Sequence, residues 1–483
     1  MDFGKASAFL DGIWDDEIIP ALTDYIRIPN KSPAFDKDWE AHGHMEKATQ
    51  MFAGWAKSKL AQFPGSTLEI VRLPGRTPLI FIEIPGDAGA SAGAGATNKK
   101  ATVLMYGHLD KQPEMLGWAD DLGPWQPVVK DGKLYGRGGA DDGYAMFASI
   151  AALLALKQQG AKRARAVIVI EACEESGSPD LPFYIDHLSA RIGTPDLVVC
   201  LDSGCGNYEQ LWLTTSLRGN LIGALTVKVL TEGVHSGAAS GIVPSSFRIL
   251  RMLLSRIEDE ATGKMKLPEL FAEIPQERQT QAKEAAAILG DEVWTGAPFA
   301  GSTKPMAQGN AELILEKTWR PQLAVTAMDG YPLPANGGNV LLPYSTAKIS
   351  VRLPPTLEAE VARSALKKTL EASPPYDADV TFDVPRGDNG WNAPTLAPWL
   401  EASLNKASLS AFGKPVAYQG EGGSIPFMAM LGEKFPGTQF VVTGVLGPHS
   451  NAHGPNEFLH IGFAKKLSAC IATVLADHAL EAS

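Results

Sequence analysis

Four cysteines in 483 residues are too few to staple a fold of this size, and Cys173, Cys200, Cys205 and Cys470 show no Cys-x-x-Cys spacing. That argues against a disulfide framework or a thiol zinc cluster, and predicts reduced, mostly buried thiols in a cytoplasmic protein. Cys205 follows Asp202 closely, but no base is visibly paired with it. The chain also lacks any apolar run near the ~20 residues of a membrane span. Positive charge is in deficit, with 43 Lys and Arg against 54 Asp and Glu and a net charge of −11. Nucleic-acid and anionic-membrane partners need clustered cations, so neither is expected. The opening Met1-Asp2-Phe3-Gly4, continuing into Asp11, Asp15, Asp16 and Glu17, shows no basic-then-apolar export pattern. Gly136-Arg137-Gly138-Gly139 has no phosphate-loop Lys-Ser or Lys-Thr sequel and reads as turn chemistry.

What remains is an ordinary soluble composition, 45% hydrophobic and 20% charged, with room for two or three domains. Helix-period segments at 8–28 and 44–59 and short apolar runs at 68–72 and 78–84 open the chain. A Gly/Ala/Ser tract between Gly86 and Lys100 cannot bury a core and is expected to be a mobile surface loop. Strand, acidic turn and helix then repeat through Asp202, the βαβ pattern of a mainly parallel sheet. After about Trp212 the pattern changes to longer strands (221–230, 346–353) and amphipathic helices (244–258, 357–373), an α+β sandwich. The strand-and-helix pattern of the first part returns after Asn392. The simplest account is an α/β catalytic domain in two pieces, 1–212 and 394–483, with an inserted α+β domain at 213–393.

Metal-type side chains stand just beyond five of the apolar runs. They are His108, the pair Asp141-Asp142, the pair Glu174-Glu175, Asp202, and His449 with His453. Open α/β sheets collect ligands outside the carboxyl ends of their strands. Two imidazoles and several carboxylates on one such rim suit two divalent ions, a pattern that points to a hydrolase. Asp110, two residues after His108, suits a partner that fixes the imidazole tautomer. Neighbouring side chains diverge, so one of Glu174 and Glu175 can bind metal while the other faces water as general base. Taken singly, a His after a strand or an acidic pair is most often a solvated loop feature; their joint occurrence carries the inference.

The chain resembles the di-metal peptidase family of carnosinases, cytosolic non-specific dipeptidases, aminoacylases and carboxypeptidase G. The resemblance runs through Gly107-His108-Leu109-Asp110, Gly136 to Asp142, Glu171 to Ser178, Asp202, Gly233-Val234-His235-Ser236-Gly237, Gly420 to Pro426 and Ala452 to Glu457, in family order. It implies that His108 and Asp202 bind one ion, Glu175 and His453 the other, and that Asp141 bridges them. It also implies Glu174 as general base, Asp110 orienting His108, a cis peptide after Asp141, and Ser424 holding substrate. In the dipeptidase branch the His matching His235 sits in the inserted domain and reaches the other subunit's site to stabilise the oxyanion. The inserted domain is therefore expected to be a lid and the interface of a homodimer. The implied reaction is amide hydrolysis of dipeptides by a metal-bridged hydroxide, with two Zn²⁺ or Mn²⁺ ions per subunit. Rival expectations are cleavage of N-acyl amino acids by the same chemistry, or a catalytically silent metal-binding scaffold.

Two departures stand out. The family's Asp-Asp-Lys-Gly is here Asp141-Asp142-Gly143-Tyr144, which removes a cation. No Arg follows Asn339-Val340-Leu341-Leu342-Pro343-Tyr344, so Arg352 and Asn339 become the candidates for gripping a substrate carboxylate. The Ala-His-Gly-Pro-Asn-Glu context selects His453 over His449 as the ligand.

Overall fold

The computed structural model describes residues 1–87, 101–385 and 387–481; the tract expected as a mobile loop lies, from 88 to 100, outside them. The chain forms two compact units, Met1–Thr214 with Ala393–Gln419 and Met430–Ser483, and Thr215–Asn392 with Gly420–Ala429.

The first unit is a mixed α/β body around a six-stranded sheet, in the order Thr67–Val71, Leu79–Ile84, Arg165–Glu171, Thr102–His108, Leu197–Cys200, Gln439–Val442. The last four are parallel to one another, and the first two pair antiparallel. Parallel strands covered on both faces must be apolar throughout. Accordingly Thr102–His108 and Leu197–Cys200 are buried at every position. The helix Tyr144–Gln158 is buried from Tyr144 to Leu156, which explains its Ala- and Leu-rich sequence with no polar face. It packs against the C-terminal helix Ile461–Glu481. The register brings His108 opposite Glu171, so both strands end on the same edge of the sheet. Asp202 follows the Leu197–Cys200 strand at that edge.

The second unit is an antiparallel sheet in the order Gln322–Asp329, Tyr344–Leu353, Gly219–Lys228, Asp379–Asp383. Burial alternates along Gly219–Lys228 and Tyr344–Leu353, as it must where one face meets a core and the other does not. The helices Ser246–Ile257 and Ala359–Glu371 cover the buried face with Ile249, Leu253, Ile257, Ala362, Leu366 and Leu370. Ser245 caps the first of them, accepting from the Arg248 amide at 3.4 Å. Gly420–Ala429 joins this unit, whereas the sequence pattern grouped it with the chain's last part. There Arg218 holds it, its amide donating to Gly423 O (3.1 Å) and its Nε to Gly422 O (3.2 Å).

Candidate metal centre

At the carboxyl edge of the parallel strands, sequence-distant side chains of the first unit meet. Asp141 stands between two imidazoles, with Oδ1 3.3 Å from His108 Nε2 and Oδ2 3.1 Å from His453 Nε2. Asp202 Oδ1 is 3.7 Å from His108 Nε2, and Glu175 Oε2 is 3.4 Å from His453 Nε2. Glu174 Oε2 lies 4.0 Å from His108 Nε2. All five expected ligand positions and the expected base are thus gathered in one place. Two overlapping groups of ligand atoms here could hold an ion, His108–Asp141–Glu175 and His108–Asp142–Asp202; the second brings in Asp142, and His453 is in neither. His449 is exposed and in neither group, and it is His453 whose Nε2 faces Asp141 and Glu175.

Local structure explains the convergence. Asp141 sits in a tight turn whose peptide bond to Asp142 is cis. The turn is closed by the Gly143 amide on Gly138 O (2.9 Å). Gly143 is obligatory there, since a Cβ would stand 2.3 Å from Tyr25 Cε1. That contact gives the departure from Asp-Asp-Lys-Gly a steric reason. Asp110 has two roles. Its carboxylate accepts the backbone N–H groups of Glu174 and Glu175, each at 3.0 Å, and its Oδ1 lies 3.5 Å from His108 Nδ1. The His108 Nδ1 hydrogen bond goes to the Asp110 carbonyl at 3.2 Å. Gln112 Nε2 donates to Glu175 Oε2 at 2.5 Å.

The electrostatics are those of an over-crowded acidic pocket. Burial, and then the charge of Asp202, push Glu174 and Asp142 well above the usual carboxylate range; burial and Asp141 do the same to Glu175. Asp141 goes the other way: burial raises it, but the close imidazoles of His108 and His453 outweigh that and hold it low. Buried carboxylates without cations are costly. His108 Nε2, Glu175 Oε1 and Asp142 Oδ1 are buried with no hydrogen-bond partner. Unpartnered nitrogen and oxygen donors around surplus negative charge are what divalent cations satisfy, so these residues fit a metal centre.

Sequence reasoning counted Asp142 among the metal-type side chains without giving it a role, and passed over Lys111, Gln112, Arg137 and Glu457 as contributors. Asp142 is fully buried and stands in the second metal-type group; its place in the Asp-Asp pair was the available signal. Lys111, Gln112 and the Arg137–Glu457 pair carried none by residue type alone. Lys111 is fully buried, donating to Tyr25 O and Ile28 O at 2.8 Å each.

The remaining expected residues belong to the second unit. His235 is exposed on a two-residue strand, opposite Val340, with the Ser236 amide donating to Asn339 O at 2.9 Å. Arg352 Nη1 donates to Ser424 Oγ at 3.2 Å.

Residues 104–477 match the family model described as "Peptidase family M20/M25/M40". A cysteinylglycine-S-conjugate dipeptidase of Corynebacterium striatum is 26% identical over 379 residues, 75% of this chain and 79% of that protein. A Beta-Ala-His dipeptidase of Mus musculus is 29% identical over 294 residues, 58% of this chain and 56% of that protein. The solved structure of the dipeptidase Dug1p from Saccharomyces cerevisiae has the same fold, with a TM-score of 0.78, 21% identity and 99% of each chain covered. With the match spanning most of its length and a cation-demanding acidic pocket at its sheet edge, this chain belongs to peptidase family M20/M25/M40 and is an enzyme of the metallopeptidase class.

Proposed function

We propose that the enzyme is a dipeptidase working with two divalent ions, Zn²⁺ or Mn²⁺, in each subunit. The observation that carries this reading is Asp141, whose two oxygens face two different imidazoles at 3.3 and 3.1 Å. In this reading Asp141 is shared, His108 and Asp202 complete one site, and Glu175 and His453 complete the other. Bound there, the ions supply Lewis acidity for the amide carbonyl and acidify water. The chain's own residues do the rest. Glu174 takes the proton of the attacking water and hands it to the leaving amine. Asp110, holding the amides of both Glu174 and Glu175, fixes which carboxylate turns to metal and which to water.

Substrate recognition falls to the second unit, as a lid. Arg352 and Ser424, already in contact, suit a substrate carboxylate, with Asn339 beside His235. His235 acts on the oxyanion in the site of a partner subunit, which makes the working form a homodimer. Its exposure supports that role, and so does the outer strand Gln322–Asp329 with its exposed Val325 and Met328. A dipeptide as substrate is supported by the names of the relatives, one acting on a cysteinylglycine conjugate and one on Beta-Ala-His. No helix of the described residues is long and apolar enough to cross a membrane. Cys173, Cys200, Cys205 and Cys470 are buried and in no disulfide, which is consistent with a cytoplasmic enzyme.

The test strips the enzyme with chelator, restores it with Zn²⁺ or Mn²⁺ separately, and offers dipeptides, tripeptides and N-acyl amino acids. Metal-dependent cleavage confined to dipeptides is expected. A preference for N-acyl amino acids would replace the substrate class, and two bound ions with no turnover of any substrate would leave a silent scaffold.

A further inference from the structure

His453 is an expected ligand that sits on a loop, far along the chain past the strand Gln439–Val442. It sits in a loop where His449, Asn451, His453 and Asn456 all have positive φ, at 64°, 54°, 66° and 60°. Left-handed backbone at four non-glycine residues is not a conformation a short loop holds unaided. The support comes from Arg137, 1% exposed, and Glu457, 0% exposed.

Arg137 Nη1 is ion-paired to Glu457 Oε2. Its Nη2 donates to the carbonyls of His453 (3.1 Å) and Gly454 (2.8 Å), and its Nε donates to Pro113 O (3.2 Å). Glu457 returns the grip: Oε1 accepts the Gly138 amide at 2.9 Å, and its carbonyl accepts the Gly136 amide at 3.0 Å. One guanidinium therefore ties three segments together: the loop after Asp110, the turn leading to Asp141, and the backbone of His453 itself. A planar fork spreads its donors over three nitrogens and spans these acceptors; an ammonium's three donors radiate from a single nitrogen and cannot span them.

We propose that Arg137, through Glu457, is a positioning residue that holds the His453 imidazole against Asp141 and Glu175. It thereby sets the affinity of the ion assigned to Glu175 and His453 while leaving the ion of His108 and Asp202 untouched. This inference rests on the ligand assignment proposed above. Neither residue touches the reacting atoms: Arg137 holds the His453 carbonyl, and Glu457 holds Arg137 in place against the turn that carries it.

The test is equilibrium dialysis of the stripped protein against Mn²⁺, with bound metal counted for the native chain, Arg137→Lys, Glu457→Gln and His453→Ala. For Arg137→Lys one ion is expected at native affinity and the other weakened by about 10–100-fold, the usual effect of removing a group that orients a ligand. Glu457→Gln keeps the side-chain shape and the Gly138 contact, so a smaller weakening of the same ion is expected; it carries the test alone if Arg137→Lys does not fold. Two ions bound at native affinity in these variants, while His453→Ala loses one, would overturn the proposal and leave the ligand assignment standing. Native affinity for both ions in His453→Ala would instead overturn the assignment. Equal weakening of both ions in Arg137→Lys or Glu457→Gln, as a general loss of structure would give, would also overturn the positioning role.

Discussion

Glu171 closes the strand that runs into Glu174 and Glu175, and its protonation should be readable in the stability of the fold. It is 2% exposed. Oε1 accepts from Tyr106 Oη at 2.6 Å and Ser178 Oγ at 2.8 Å, and Oε2 accepts from Cys173 Sγ at 3.4 Å. Those donors favour the ionised form, but burial and the charge of Asp110 outweigh them and push the carboxyl from 4.5 up to about 7. Below about pH 4.5 the group is protonated in both folded and unfolded chains, and its contribution is fully present. Between there and about pH 7 the unfolded chain has released the proton and the folded chain has not, so stability falls as pH rises. At 1.36 kcal/mol per unit, the loss across that window is on the order of 3 kcal/mol. Glu171→Gln removes it, because the amide cannot ionise while its oxygen can still accept from Tyr106 and Ser178. Urea unfolding of the metal-free native and variant chains at pH 4 and pH 8 measures the effect. The variant should gain on the native chain by ~3 kcal/mol on going to the higher pH. A difference between the two chains that stays constant with pH would refute the argument and place the proton elsewhere in the acidic cluster.

Glu174→Gln should lower kcat by about 10²–10⁴-fold with both ions retained, as expected for loss of a general base; loss of an ion would make Glu174 a ligand instead. Mixed with His235→Ala subunits, it should regain activity through dimers with one intact composite site, and no regain would count against action across subunits. Gly143→Ala should lower the melting temperature without changing metal stoichiometry. The added methyl meets Tyr25 Cε1 at 2.3 Å and Gly138 O at 2.6 Å. Overpacking of that kind costs about 1–3 kcal/mol or more, and an unchanged melting temperature would mean the turn yields.

The parallel sheet and its rim were legible because burial on both faces leaves a signature that survives in one dimension. Thr102–His108 and Leu197–Cys200 are buried at every position between two covering layers, and metal-type side chains come where each strand reaches the edge, at His108 itself and at Asp202, two residues beyond Cys200. The side chains supporting that rim were not legible, because their partners are far away in sequence. Arg137 and Glu457 are separated by 320 positions, and nothing in either local pattern distinguishes them from a solvated turn and a solvated loop. Lys111 is the sharper case. A lysine after Asp110 reads as surface, yet its Nζ lies 3.7 Å from the centroid of the Tyr25 ring and donates to two carbonyls at the end of the helix Ile19–Ile26. The same Tyr25 ring fills the space a side chain at 143 would need. The missing lysine of the Asp-Asp-Lys-Gly pattern and the unexpected buried lysine at 111 are therefore two ends of one packing arrangement, joined by an aromatic ring. Composition at either position suggests a lost charge or a stray one; only the geometry connects them.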